Sequence, residues 1–145
     1  MRHLKLQPIT AAAFAPFGEL ITAPPTAPRV NFVAPVENRR ATARANIAVV
    51  HPPVTTLPTR VETMERHPHS TQAFFPLGGC AYLLLVAPGG DAGPELDGAM
   101  AFEVPGHVGI SYATGIWHMG MTTLGRASIM ALLVHEDGSA DDTDT

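Results

Sequence analysis

Proline and glycine interrupt this chain every few residues, 14 and 13 of them among 145. Proline removes a backbone donor and clashes with the preceding turn of a helix, and glycine loses the most entropy on ordering. Long helices are therefore excluded, and only short elements separated by turns remain. One stretch escapes this limit. "ITAAAFAPFGELI" (9–21) reads as a short helix that Thr10 caps and that Pro16 and Gly18 end.

Elsewhere the apolar residues fall in short β-prone runs: 45–51, 60–67, 72–77, 80–87, 98–104, 107–113 and 127–135. Turn signals separate them, among them Gly78-Gly79, "APGGDAGPELDG" and Pro105-Gly106. Many short strands with regular turns predict an all-β sandwich or barrel. Residues 1–135 read as one domain. The remainder, "EDGSADDTDT" (136–145), is acidic, lacks apolar anchors and reads as a disordered tail.

Charge narrows the function. The formal net charge is −4, and the arginines are scattered apart from Arg39, Arg40 and Arg44. No basic stripe is long enough to track a phosphate backbone, so nucleic acid is not an expected partner. The longest apolar run, 81–87, fits a buried strand and falls short of a membrane span. A single cysteine, Cys80, and an N-terminus without a continuous apolar run predict a cytoplasmic protein. Cys80 itself reads as a small buried hydrophobe.

The stretch "ERHPHSTQAFFPLGG" (65–79) crowds metal-competent side chains against an apolar strand. If 60–67 is a strand, Val61, Thr63, Glu65 and His67 share one face and Arg66 takes the other. A turn follows, and Gln72 opens the next strand, so Glu65, His67 and Gln72 can converge across a hairpin. Alone, each histidine reads more readily as a structural residue hydrogen-bonded at a rim.

The spacing Glu-x-His-x4-Gln-x6-Gly resembles the first cupin signature, with Glu65 at its first histidine and Gln72 at its glutamate. "ATGIWHMGMT" (113–122) resembles the second, with Gly115 and His118 in register. The resemblance implies a cupin-type antiparallel β-barrel, a double-stranded β-helix with a short N-terminal helix. It also implies a divalent-metal site of Glu65, His67, Gln72 and His118. Two imidazoles and a carboxylate suit nickel, zinc or manganese.

"ERHP", "TQAFFPL" and "GISYATGIWH" further resemble the signatures of the ureidoglycolate lyase family, over about residues 9–134. That resemblance implies cleavage of ureidoglycolate to glyoxylate and urea, a step of allantoin and purine breakdown, by metal-assisted C–N elimination. The alternatives are a related cupin enzyme acting on another small carboxylate, or a cupin that binds a small acid without turnover. A homodimer is also implied. The chain departs from the family pattern at several positions. Ser111 replaces an asparagine, Met119 a histidine, and His51 an arginine; His135-Glu136 stands where the family has Asp-Arg.

Catalytic roles are expected for Glu65, His118 and Tyr112, a phenol that could donate to a developing oxyanion. Substrate contact is expected at Arg39, Arg44, His51, Ser111 and Trp117, the guanidinium groups suiting a carboxylate.

Overall fold

The computed structural model describes residues 1–90 and 92–145. Its strands are β1 (Leu6–Pro8), β2 (Gly18–Ile21), β3 (Arg44–Val50), β4 (Val54–Thr55), β5 (Gln72–Pro76), β6 (Tyr82–Ala87) and β7 (Gly89–Gly90). They continue with β8 (Gly93–Pro94), β9 (Met100–Val104), β10 (Gly109–Tyr112), β11 (Trp117–His118), β12 (Thr122–Leu124) and β13 (Met130–Glu136). One short helix, α1 (Ala11–Phe14), lies between β1 and β2.

Two sheets carry the fold. The six-stranded sheet runs β1-β9-β6-β12-β4, with β11 also paired to β6. The five-stranded sheet runs β2-β10-β5-β13-β3 and is antiparallel throughout. In the first sheet only β1 with β9 and β4 with β12 pair in parallel.

Alternation decides what each strand buries. Tyr82, Leu84 and Val86 of β6 and Phe102 and Val104 of β9 point inward from the first sheet. Phe74, Ile110, Tyr112 and Met130 meet them from the second. The two sheets thus share one core; the all-β expectation holds, and the arrangement is consistent with a cupin-type fold. The helix serves that core. Thr10 caps it through Ala13 N, at 3.1 Å, and Phe14 inserts edge-on against Phe102 with ring centroids 5.8 Å apart.

The short helix stands as expected: it covers four residues, and after Phe14 the chain turns through Pro16 and Gly18 enters β2. A side chain at Gly18 would meet Ser111 O at 1.9 Å, so this close approach to β10 admits glycine alone. Two expectations need correction. First, 60–64 form no ladder. Arg60 and Glu62 pair with each other in solvent, at 3.1 Å, and regular pairing reaches only Glu65 and Arg66, as isolated bridges to His118 and Asp144. Second, the acidic tail is docked, not disordered. It turns at Ala140–Asp142 and returns to Arg66, to which Asp144 is joined by two backbone hydrogen bonds of 3.0 Å. Asp137 and Asp142 pair with Arg40 and Asp144 pairs with Arg66, which composition alone does not show. Cys80 is buried, as expected. Among the described residues no helix is long and apolar enough to cross a membrane.

Candidate metal centre

The site begins with a turn. Gly115 has φ +80°, a left-handed conformation that costs glycine nothing, and Ile116 N closes the turn on Ala113 O at 3.2 Å. Gly115 N also donates to His67 O, at 2.9 Å, tying the turn to the other half of the site. The turn brings the Ile116 carbonyl 3.0 Å from His118 Nδ1. A carbonyl only accepts, so the ring proton sits on Nδ1 and the Nε2 lone pair faces inward.

His67 is arranged in the same way. Its Nδ1 lies 3.0 Å from the carbonyl oxygen of Asp142. Glu65 reaches the pair through a reciprocal backbone contact: Glu65 N to His118 O and His118 N to Glu65 O are both 2.8 Å. Its carboxylate stands 3.7 Å from His118 Nε2. One ligand atom from each of Glu65, His67 and His118 lies within 4.8 Å of the others.

Gln72 completes the set from β5. Its register partners are Tyr112 and Val134, so its side chain shares the inward face with Tyr112. Tyr112 stacks on His118, ring centroids 4.1 Å apart and planes 14° from parallel. It forms the wall behind that imidazole.

Three acceptor atoms are left over. His67 Nε2, His118 Nε2 and Gln72 Oε1 are buried with no hydrogen-bond partner. An unsatisfied buried polar atom costs about 1–3 kcal/mol, and three in one place call for a common partner. A divalent cation accepts lone pairs from all three and from the Glu65 carboxylate, so the donor set fits a metal ion.

The protonation states agree. Burial first, then His118, holds the His67 imidazole below its ordinary value, against the pull of the Asp142 carbonyl, Glu65 and Gln72. The approach of His118 holds the Glu65 carboxyl low, although burial opposes it. Burial pushes the Tyr112 phenol well above its ordinary value, so it keeps its proton.

A cavity of about 260 Å³ opens from Glu65 and Gln72, walled by Val50, His51, Pro53, Phe74, Met121 and Leu132. That is small for a ligand pocket and suits a compact metabolite. A larger groove of about 1730 Å³ lies along Leu83, Leu85, Trp117 and Met119 and touches none of Glu65, His67, Gln72 or His118. Of these two spaces, only the smaller is lined by members of the candidate set, Glu65 and Gln72.

The chain matches the family model described as ureidoglycolate lyase over residues 1–145. This chain belongs to the ureidoglycolate lyase family. It is 34% identical to the ureidoglycolate lyase of Pseudomonas putida over 99% of its own length and 90% of that protein's. Its identity to the ureidoglycolate lyase of Pseudomonas aeruginosa is also 34%, over 99% of this chain and 89% of the other. That of Pseudomonas savastanoi pv. phaseolicola is 33% identical, with the same coverage.

Of the residues expected to contact substrate, only His51 lines the cavity. Arg39 is half exposed and paired with Glu37 at 2.6 Å. Arg44 starts β3, exposed and opposite Glu136. Ser111 is buried, but strand alternation turns it away from Tyr112, and its hydroxyl donates to Pro35 O at 2.9 Å. Trp117 likewise points opposite to His118; it lines the larger groove beneath Arg66, whose Cζ lies 5.0 Å from the ring centroid. Arg66 turns away from Glu65, as alternation required, and pairs within the chain with Asp144 at 2.8 Å. The sequence reading missed Asp142, whose contribution is a main-chain carbonyl and so leaves no side-chain signal.

Proposed function

We propose that this protein cleaves ureidoglycolate to glyoxylate and urea, a step of purine breakdown through allantoin. The observation that carries the reading is the cluster of Glu65, His67 and His118 ligand atoms beside the unpartnered Gln72 Oε1, with Glu65 and Gln72 opening onto a small cavity, in a chain of this family. The ligand set is Glu65, His67, Gln72 and His118, for nickel, zinc or manganese. A divalent ion bound there would act as a Lewis acid and lower the pKa of a substrate hydroxyl.

The chain's own groups supply the rest. His51 is the group in the cavity wall whose imidazole N–H can donate a hydrogen bond to the substrate carboxylate. Phe74, Met121 and Leu132 narrow the space and exclude water. Glu65 is ionised and faces the cavity, so the carboxylate oxygen that does not hold the ion can take the carbinol proton. As that proton leaves, the C–O bond becomes the aldehyde carbonyl of glyoxylate. The C–N electrons pass to nitrogen, which takes up a proton and departs as urea. Tyr112 stays protonated and holds His118 in place by stacking.

The test follows glyoxylate release from ureidoglycolate by protein supplemented in turn with each metal. Release above the spontaneous rate supports the assignment. None from folded, metal-loaded protein would overturn ureidoglycolate as the substrate.

The protein is further proposed to be a cytoplasmic homodimer. On the outer side of the five-stranded sheet Ile47 and Val49 are 74% and 58% exposed, beside Leu133 and Ala131 across the ladder. This apolar stripe on an edge strand is self-complementary if a second copy packs on it. Light scattering should give twice the chain mass, falling to one chain in Val49→Glu. A wild-type monomer would contradict it.

A further inference from the structure

The acidic segment 137–144 meets the candidate centre at His67 Nδ1, where the carbonyl oxygen of Asp142 is the nearer of two contacts. We propose that this segment is a clamp that fixes the proton and the ring orientation of His67, with Arg40 as its positioning residue. The inference rests on the reading of His67 as a metal ligand through Nε2.

The peptide that carries this carbonyl is held from both sides. Upstream, Arg40 Nη2 donates to Asp142 Oδ1 at 2.5 Å, and Arg40 Nη1 lies 3.2 Å from Asp137 Oδ1. The Arg40 and Asp142 side chains are only 15% and 13% exposed, so this pair is screened far less than a surface ion pair. The Asp142 carboxylate also accepts from the main-chain N–H groups of Asp137 and Gly138, at 3.0 and 2.8 Å. Downstream, Asp144 is locked to Arg66 by its two backbone hydrogen bonds and by the side-chain contact from Arg66 Nε. Arg66 precedes His67, so the same pairing sets the register between the clamp and the imidazole. Thr143 Oγ1 stands 3.3 Å from His67 Nδ1 and adds a second neighbour on that side.

The consequence is chemical. His67 is buried, and burial alone does not choose between the two neutral tautomers. A carbonyl oxygen held at Nδ1 does choose, because it can only accept. The proton is fixed on Nδ1 and Nε2 presents its lone pair. Partners of this kind orient a ligating imidazole, and their loss costs about 10–100-fold in metal affinity.

The test uses the full chain with 15N-labelled histidine. Imidazole nitrogen spectra of the metal-free protein report the tautomer, and competition with a chelator reports Ni2+ affinity. In the parent protein His67 should be wholly the Nδ1–H form. Arg40→Gln should give a tautomer mixture and bind Ni2+ about tenfold to a hundredfold more weakly. Arg40→Lys should recover part of both. Asp142→Asn keeps the acceptor oxygen without the charge and should resemble Arg40→Gln in milder form, which provides a second variant should the first not fold. Arg60→Gln, which breaks an exposed ion pair elsewhere, should change neither reading. The clamp is overturned if folded Arg40→Gln and Asp142→Asn keep a pure Nδ1–H imidazole and parental Ni2+ affinity, or if Arg60→Gln weakens Ni2+ equally. If the parent binds no Ni2+, the ligand reading fails, and the imidazole spectra still decide whether the segment fixes the proton.

Discussion

Replacing His118 with alanine should lower kcat/KM for ureidoglycolate by at least about a hundredfold, since even partners one shell removed from a metal are worth about 10–100-fold. His118 does three jobs in the structure. It offers an unpartnered Nε2 to the centre, it approaches Glu65 at 3.7 Å, and its ring stacks on Tyr112. Alanine removes all three and leaves the backbone bridge to Glu65 in place, so the site should fail without the fold unravelling. Glyoxylate release, with the spontaneous rate subtracted, measures the loss, and circular dichroism checks the fold. A folded variant within a few-fold of the parent would place the chemistry elsewhere.

Phe102→Ala should destabilise the protein by about 3–5 kcal/mol, the usual cost of emptying a buried aromatic site. At this chain length that corresponds to a fall of roughly 6–20 °C in the thermal midpoint. Phe102 is fully buried, edge-on to Phe14 and 6.4 Å from Phe17. Phe14 in turn lies 6.3 Å from Tyr112, which backs His118. The aromatic cluster therefore pins the helix to the sheets and braces the wall of the site. Thermal and urea unfolding measure the cost. A loss below about 1 kcal/mol would mean that the neighbours relax into the space, and that the cluster is not a rigid support.

The parts of the site that were legible in the sequence depend on short-range spacing. Glu65, His67 and Gln72 lie within one motif, and alternation placed Arg66 on the opposite side correctly. Alternation also separates Trp117 from His118 and Ser111 from Tyr112, yet both were expected at the substrate. The family pattern marks these positions, but a position is not a direction. The short strands β11 and β12 carried no alternating apolar run, because glycine, methionine and threonine surround His118. They exist because β6 offers them an edge. The tail was illegible for a similar reason. Its order depends on Arg40 and Arg66, which are 102 and 78 residues from their aspartate partners. Composition sees the acid and not the distant base.

The reciprocal backbone contact between Glu65 and His118 has a consequence for the order of assembly. His67 and His118 are separated by 51 residues (118 − 67), and strands of both sheets are threaded between them. Closing so long a loop is repaid only once the intervening strands have paired. A growing or partly folded chain thus holds Glu65 and His67 without His118. The candidate centre is assembled only when both sheets have closed, so a metal that needs all of these groups would report that folding is complete.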